Sequence, residues 1–574
     1  MSLTISEKIK NNNQDVSNQS PVSKQSCEDI VNLSVYFDGT GNNLKNDETD
    51  KKWANPARLW KNALSYSAFE NETNQLVVPL SHPVYVSGVG TPFNGEMDHL
   101  EASVRLMQDN DLTGGSTGIG GSKRLQYGAE QINTHLSKVL KQKIEKLEAE
   151  LQQDVAQRKN EVNTKVISNL NQHRLIKKIN LSVFGFSRGA ALARVFTNEM
   201  IWKAEAENLE LKYEMEGYAE KIPMEVKFLG LFDTVASFGL PATNLPNKLT
   251  FSGRDMVVDP RVKNCLHLIA GNEQRFAFPV DLVRKDGVLA NPKNWKEVVY
   301  PGMHSDVGGG YETNSQHVSN NFARITLRHM LDTAEQAGVK LFNYEKTAVE
   351  ATELFNQQFK IEAETQACWD ALQKEAGAST GKVEDDMKRY MQIYYSAYGT
   401  LHRQKQALHA AGNSDANIAQ SVAQKNRAES RRWWGPADMA TEVERVKKAR
   451  GYTSADSNQV TGYKQLYRVF YPLQKLYEFY IGIDDWELES FEKEAKENTI
   501  KFYSNYVHDS KYGFIYNAEP FSYFRQRTVY EPKRSWKGKR VDKKLGPVHE
   551  QIARENAMSE AVNQSEAVPE TALN

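Results

Sequence analysis

The segment GFSRG, residues 185–189, constrains the fold of this 574-residue chain more than any other. It follows the apolar run 179–184 and precedes an alanine-rich stretch that begins at Ala190. The β-branched and aromatic run predicts a buried strand, and the alanine-rich stretch predicts a helix. A G-x-S-x-G motif between a strand and a helix makes a sharp turn that presents the serine at the carboxyl edge of a sheet. We therefore predict that Ser187 is a nucleophile; an ordinary strand-to-helix turn is the alternative.

A serine hydroxyl needs a base to take its proton, and the base needs a carboxylate to orient it. In folds with this motif the chain order is serine, acid, histidine. Asp233 ends the next predicted strand, 226–232, and His304 follows the apolar residues 298–300. We predict a Ser187, Asp233, His304 triad, although Asp233 could instead cap a helix and His304 could be a loop histidine.

Two other histidines compete with His304 for the role of base. His267 lies in an apolar run, which indicates a core residue, whereas His508 follows in the right order but falls in the C-terminal half. The oxyanion of an acyl transfer also needs donors. We expect the backbone N–H of Arg188 to be one donor, and that of Gly39 or Thr40, in the loop after strand 31–37, to be the other.

Predicted strands, one of them from Val84 to Val89 and followed by a glycine-rich loop at 114–121, alternate with helices up to about residue 345. This favours a mostly parallel sheet with helices on both faces, of the α/β-hydrolase type. A mainly helical, aromatic-rich C-terminal module follows. Apolar residues from Leu136 to Val155 recur at helical spacing. They predict a long amphipathic helix, and a coiled-coil partner site is the alternative. The predicted division is a disordered leader (1–29), a catalytic domain (30–345, with a helical insertion at about 129–175), the helical module (346–550) and a disordered tail (551–574).

Composition excludes several classes of protein. The formal net charge of −1 gives no field that would steer the chain to nucleic acid. The three cysteines are widely spaced and match no metal-ligand pattern, and we see neither a signal peptide nor a transmembrane segment. A serine mechanism needs no metal or cofactor, so we predict none. One alternative is a metal-dependent phosphodiester hydrolase built on Asp38, Asp233, His304 and Asp306.

Six ordered blocks resemble a known family. They lie at residues 36–43, 88–91, 118–120, 185–190, 231–235 and 304–311. The chain resembles the type VI secretion lipase effectors of the first class, bacterial phospholipases with an α/β-hydrolase domain, over roughly residues 30–315. The resemblance implies that Ser187, Asp233 and His304 form the triad and that the substrate is a fatty-acyl ester of a membrane phospholipid. It also implies export by the secretion spike into the periplasm of a target cell, and a cognate immunity protein.

Two further functions stay open from the sequence: a soluble esterase or thioesterase for small substrates, and a binding or delivery module with a silent site. Whether the enzyme would be a phospholipase A1 or A2 is also open. Possible membrane-docking segments are Trp433-Trp434, the aromatic runs 467–480 and 514–524, and the basic segment 533–544. These aromatics could equally form the core of the module.

Overall fold

The protein is described from a computed structural model. Its described residues are 25–26, 29–48, 52–74, 76, 79–91, 121–154, 173–174, 176–204, 210–215, 218–236, 256–275, 278–414, 440, 442–443, 484–511, 523–524 and 527–532, with the side chains of 25–26, 122, 143–154, 173–174 and 210–221 left aside. Most of the predicted leader, glycine-rich loop and tail, and the docking segments other than Tyr523 and Phe524, lie outside these residues.

A seven-stranded sheet forms the centre of the fold. The strands, with two short pairs beside the sheet, are β1 (Gln25–Ser26), β2 (Ile30–Phe37), β3 (Ser81–Val86), β4 (His173–Arg174), β5 (Lys178–Phe186), β6 (Glu210–Met215), β7 (Tyr218–Phe232), β8 (Asn264–Ala270), β9 (Val280–Asp281), β10 (Trp295–Tyr300) and β11 (Val529–Tyr530). The order in the sheet is β10-β8-β7-β5-β2-β3, all parallel, and β6 pairs antiparallel with β7. This confirms the predicted α/β class.

Twelve α-helices are present in the described part of the chain. They are α1 (Leu44–Asp47), α2 (Asn55–Asn74), α3 (Gly121–Asp154), α4 (Arg188–Lys203), α5 (His304–Gly308), α6 (Ala323–Gln336), α7 (Tyr344–Glu350), α8 (Thr352–Leu354), α9 (Ala363–Ala376), α10 (Val383–Ala410), α11 (Asp485–Glu492) and α12 (Glu497–Tyr506). No helix among these is both long enough and apolar enough to cross a membrane.

Two hydrophobic cores cover the two faces of the sheet. Because side chains alternate along a strand, Val35 and Val183 face one core, with α3 and α4, while Tyr36 and Phe184 face the other. That second core contains residues of α2 and α6, and also of α9, α10 and α12. The described C-terminal helices therefore share this core with the sheet, across the predicted boundary at residue 345.

Two element boundaries differ from the prediction. The long helix α3 begins at Gly121, not near residue 129, and its buried Leu125 and Ile132 join the first core. Strand β3 spans Ser81–Val86, whereas the predicted strand ran from Val84 to Val89. Pro83 is tolerated there because β3 lies at the edge of the sheet and pairs only with β2 among the described strands.

Candidate active site

Ser187 occupies a strained turn between β5 and α4. Its backbone has φ 59° and ψ −128°, a region that residues with a side chain rarely adopt. The flanking glycines make the turn possible. A Cβ on Gly185 would lie 2.4 Å from the carbonyl oxygen of Gly189, and one on Gly189 would lie 2.2 Å from that of Asp38. The strand, sharp turn and helix predicted from the sequence are therefore all present.

Backbone hydrogen bonds fasten this turn to the end of β7. The N–H of Ser187 donates to the carbonyl of Phe232 at 3.0 Å, and the N–H of Val235 donates to the carbonyl of Ser187 at 3.2 Å. The turn is thus placed beside Asp233, which follows β7 directly and also has a positive φ, 43°. Two strained backbone positions lie side by side at the carboxyl edge of neighbouring strands.

Asp233 and His304 form a buried pair. The carboxylate Oδ2 of Asp233 lies in a short hydrogen bond with Nδ1 of His304, and both side chains are almost completely shielded from solvent. His304 begins α5, just after β10, and its backbone N–H donates to the carboxylate of Glu273 at 3.1 Å. The structure therefore brings the predicted acid and the predicted base together.

The second partner of Asp233 is Arg527, which the sequence did not indicate. Its guanidinium donates to both carboxylate oxygens, at 2.6 Å to Oδ1 and 2.8 Å to Oδ2, and the N–H of Ala270 also donates to Oδ1 at 2.9 Å. Burial alone raises the pKa of Asp233, but the positive charge of Arg527 and the hydrogen bond from His304 outweigh it and hold that pKa well below its usual value. Asp233 is therefore ionised at neutral pH.

The imidazole of His304 is held between two aromatic rings. Phe186 lies 4.6 Å away between ring centroids, and Phe278 meets the ring edge-on at 5.0 Å. Burial lowers the pKa of His304, although the hydrogen bond and the charge of Asp233 oppose this. The Nε2 atom is buried and makes no hydrogen bond to any described residue. A neutral imidazole with Nδ1 engaged and Nε2 open has the tautomer that a general base requires.

The loop after β2 packs closely on the serine turn. The Arg188 side chain donates from Nε to the hydroxyl of Thr40 at 2.6 Å, which ties the residue after Ser187 to this loop. The N–H of Gly39, however, donates to the carboxylate of Asp38 at 2.8 Å. Of the two residues predicted for the second oxyanion donor, the arrangement therefore favours Thr40 over Gly39.

His508 is a partner of a different carboxylate. Its Nδ1 lies 2.5 Å from Oδ1 of Asp306, and its ring stacks on Tyr311 with 3.9 Å between centroids. Asp306 also accepts the N–H of Met303, so this second pair braces the helix that carries His304. His267 is a fully buried core residue, as predicted, and its Nε2 accepts the N–H of Thr234 at 3.1 Å.

The four residues of the hypothetical metal site serve other partners. Asp233 is occupied by Arg527 and His304, and Asp306 by His508 and the N–H of Met303. Within the described part of the chain, no group of three or more histidine, cysteine or acidic residues is placed to hold a metal ion. The arrangement therefore gives the metal-dependent alternative no support.

Residues 199–333 match the family model described as the catalytic domain of Tle1-like phospholipase effectors of type VI secretion. This confirms the resemblance seen in the sequence for that part of the chain. The match contains Asp233 and His304, while Ser187 lies just before it. No curated protein sequence matches the chain significantly.

Several solved structures are similar to the chain, including the following two. A crystal structure of an uncharacterized protein from Pseudomonas aeruginosa has a TM-score of 0.50 and 20% identity, covering 92% of this chain and 81% of its own. At that identity the likeness shows a shared fold. The Tle1 effector bound to the VgrG spike from the type VI secretion system has a TM-score of 0.34 and 19% identity, covering 60% of this chain and 79% of its own. This second score is too low to support an argument about the fold.

Proposed function

We propose that the chain is a serine hydrolase that cleaves fatty-acyl esters of membrane phospholipids, a phospholipase of the A type. Ser187 is the nucleophile, His304 the general base and Asp233 the orienting acid. One observation carries the proposal: a strained serine at the carboxyl edge of the sheet lies beside a buried aspartate–histidine pair supplied by the following strands. The family match over residues 199–333 adds the substrate class.

The reaction follows from the atoms available. His304 takes the hydroxyl proton of Ser187 on Nε2 while the serine oxygen attacks the ester carbonyl carbon, and the backbone N–H groups of Arg188 and Thr40 stabilise the oxyanion. Collapse expels the alkoxide of the lysophospholipid, which receives the proton from His304. Water, deprotonated by His304, then releases the fatty acid from Ser187 by the same steps.

The charges of the pair suit these steps. His304 is neutral before the attack because burial lowers its pKa, so it can accept a proton at neutral pH. Asp233 stays ionised beside Arg527 and stabilises the imidazolium formed during the attack. The pair therefore changes its net charge from −1 to zero in the transition state, inside a site shielded from water.

The effector role is the second part of the proposal. Since the matching family consists of phospholipase effectors of type VI secretion, we infer that this chain is delivered by a secretion spike into the periplasm of competing bacteria. A producing cell would then need a cognate immunity protein. Phospholipid is the substrate that such a destination offers.

The depth of the site suggests how substrate is met. Ser187 is 2% exposed and His304 is 3% exposed, so the ester of a lipid has to leave the membrane surface and enter the protein to meet them. We therefore expect turnover to rise when substrate is presented as a bilayer or micelle rather than as dissolved monomers. A soluble esterase would show no such rise, so this comparison separates the two functions.

The test uses purified full-length protein, its Ser187→Ala variant and a matched Ser65→Ala control on α2, far along the chain from the turn. Phosphatidylethanolamine and phosphatidylglycerol vesicles with distinguishable acyl chains would report release of fatty acid and lysophospholipid. We expect release by the wild type and by Ser65→Ala, and a loss of about 10³-fold or more in Ser187→Ala. The acyl chain released first distinguishes A1 from A2 activity.

Release that survives Ser187→Ala would overturn the assignment of the nucleophile. Hydrolysis of a dissolved p-nitrophenyl ester without hydrolysis of vesicles would replace the phospholipase with a small-substrate esterase. A wild type that hydrolyses neither, and whose Ser187 does not react with a fluorophosphonate, would leave a silent binding module as the better description.

A further inference from the structure

The proposed triad accounts for three side chains at this site, and the charged side chain of Arg527 is a fourth that is built into it. Arg527 lies 294 residues beyond Asp233 in the chain, and its side chain is 1% exposed. We propose that Arg527 is the positioning residue of the acid: it fixes the orientation of the Asp233 carboxylate and lowers the proton affinity of the Asp233–His304 pair. This inference rests on the proposed function.

The geometry is that of a fork on a carboxylate. Nη1 and Nη2 of Arg527 donate to Oδ1 and Oδ2 of Asp233 at 2.6 and 2.8 Å, and this planar, two-point contact fixes the rotation of the carboxylate about χ2. Nη1 also donates to the carbonyl of Ala270 at 3.1 Å, and Nε donates to that of Phe278 at 2.7 Å. A lysine has one nitrogen and could not make this set of contacts.

The contacts of Arg527 reach both sides of the base. Through Asp233 it sets the position of the oxygen that accepts from His304 Nδ1, and through the carbonyl of Phe278 it holds the residue whose ring packs edge-on against the imidazole. Tilting either neighbour would therefore move the Nε2 atom of the base. A displacement of about 1 Å at such a site typically costs about 10²-fold in rate.

The segment that carries Arg527 is anchored to the catalytic domain just beyond it. Strand β11 pairs in parallel with β9, with the N–H of Val280 donating to the carbonyl of Thr528 at 2.9 Å. Glu531 then accepts from Arg284 at 2.7 Å and from the N–H of Gly287 at 2.8 Å. These contacts do not touch the triad, so they offer a control for the docking of the segment itself.

Among the described residues, the charged or titratable groups that face the Asp233–His304 pair include Arg527 on the carboxylate, Glu273 on the backbone N–H of His304, Arg275 paired with Glu273 at 2.9 Å, and His267 behind Thr234. Glu273 and Arg275 act on His304 in opposite directions. Arg527 is the main positive charge acting on Asp233. Its removal makes the pair bind a proton more tightly, whichever of the two groups carries that proton.

The test compares Arg527→Lys and Arg527→Gln with Glu531→Gln, which loosens the same segment without altering the charge on Asp233. Hydrolysis of a dissolved p-nitrophenyl ester is followed from pH 5 to pH 9, with the labelling of Ser187 by a fluorophosphonate as a second readout. We expect Arg527→Gln to lower kcat about 10²-fold with little change in KM, and to move the acid limb of the kcat/KM profile to higher pH. Arg527→Lys, which retains the charge, should lower kcat but leave the acid limb near its original position.

If Arg527 had only a structural role, kcat would fall in Arg527→Gln and Glu531→Gln alike. The fall would match a smaller fraction of protein molecules labelled at Ser187, and the acid limb would stay in place. That result, or wild-type kcat and acid limb in Arg527→Gln, would overturn the inference while leaving the triad intact. Failure of the proposed function is recognised separately, because the wild type would then show neither turnover nor labelling that depends on Ser187.

Discussion

Asp38 gives the sharpest prediction about stability, because it is a carboxyl group buried beside the site without an arginine or lysine bonded to it in the described structure. It is 1% exposed, accepts from the hydroxyl of Tyr85 at 2.6 Å and accepts from the N–H of Gly39. Burial raises its pKa from 3.8 to about 7, although both hydrogen bonds act in the opposite direction. We therefore expect Asp38→Asn to change how the free energy of unfolding depends on pH.

The sign follows from proton binding. Between about pH 4 and pH 7 the folded protein holds a proton on Asp38 that the unfolded chain has released, so folding is favoured at the acid end of this window and loses free energy as the pH rises. Each pKa unit corresponds to about 1.4 kcal/mol. Of the roughly three units of the shift, two lie above pH 5, so the wild type should lose about 3 kcal/mol between pH 5 and pH 8 through this group.

The assay is urea unfolding of wild type and Asp38→Asn at pH 5 and pH 8. Other titrating groups, such as Glu487, whose pKa burial raises to about 7, are present in both proteins and cancel in the comparison. The variant should gain about 3 kcal/mol relative to the wild type on going from pH 5 to pH 8. Tyr85→Phe removes a hydrogen bond that favours the ionised form of Asp38, so the free energy of unfolding should fall by more between pH 5 and pH 8. Parallel pH profiles for wild type and Asp38→Asn would refute the reasoning.

The remaining predictions concern the two histidines and the turn. His304→Ala should lower kcat for a dissolved ester by about 10³-fold or more, because the base is lost. His508→Gln should instead lower the free energy of unfolding by about 3 kcal/mol, since it leaves Asp306 buried without its partner, and kcat per fluorophosphonate-labelled molecule should change less than about tenfold. Equal losses of kcat in both variants would reopen the choice of base. Gly189→Ala would place a methyl group 2.2 Å from the carbonyl oxygen of Asp38, so it should abolish labelling of Ser187. The control is Gly128→Ala in α3, whose methyl group would lie 3.2 Å from the ring of Phe196 and should leave the labelling intact. A labelled, active Gly189→Ala would show that the turn is looser than the structure has it.

The sheet and the positions of the site residues could be predicted because each depends on local sequence. An apolar strand followed by a glycine-flanked serine favours a sharp turn. Asp233 follows the neighbouring strand of a parallel sheet, so both residues reach the same edge. The bounds of the strand predicted at 84–89 were wrong because β-propensity takes no account of the segments that pack against a strand. After Val86 the chain passes close to the loop that follows β2. A Cβ on Gly88 would lie 1.7 Å from the carbonyl oxygen of Gly39, so only glycine fits at this position.

Arg527 could not have been found in this way. It lies in the stretch Arg525-Gln526-Arg527-Thr528, where no spacing separates one arginine from the other, and its partner is 294 residues away. The role of Asp38 was hidden for a related reason. Its hydrogen-bond donor Tyr85 lies on another strand, and the sequence around 38–43 does not indicate that the Asp38 side chain is buried.

The same long-range pairing accounts for the way the C-terminal half sits on the sheet. Three buried acidic side chains lie around His304, and each has a polar partner from residues 508–527: Arg527 on Asp233, the hydroxyl of Ser510 on Glu273 at 2.9 Å, and His508 on Asp306. A buried carboxylate without a partner is strongly destabilising, so these contacts have to form together with the site. The strain at Ser187 and Asp233 also needs a surrounding structure that holds it in place. A C-terminal region that supplies these three partners and shares the hydrophobic core therefore belongs structurally to the proposed catalytic centre.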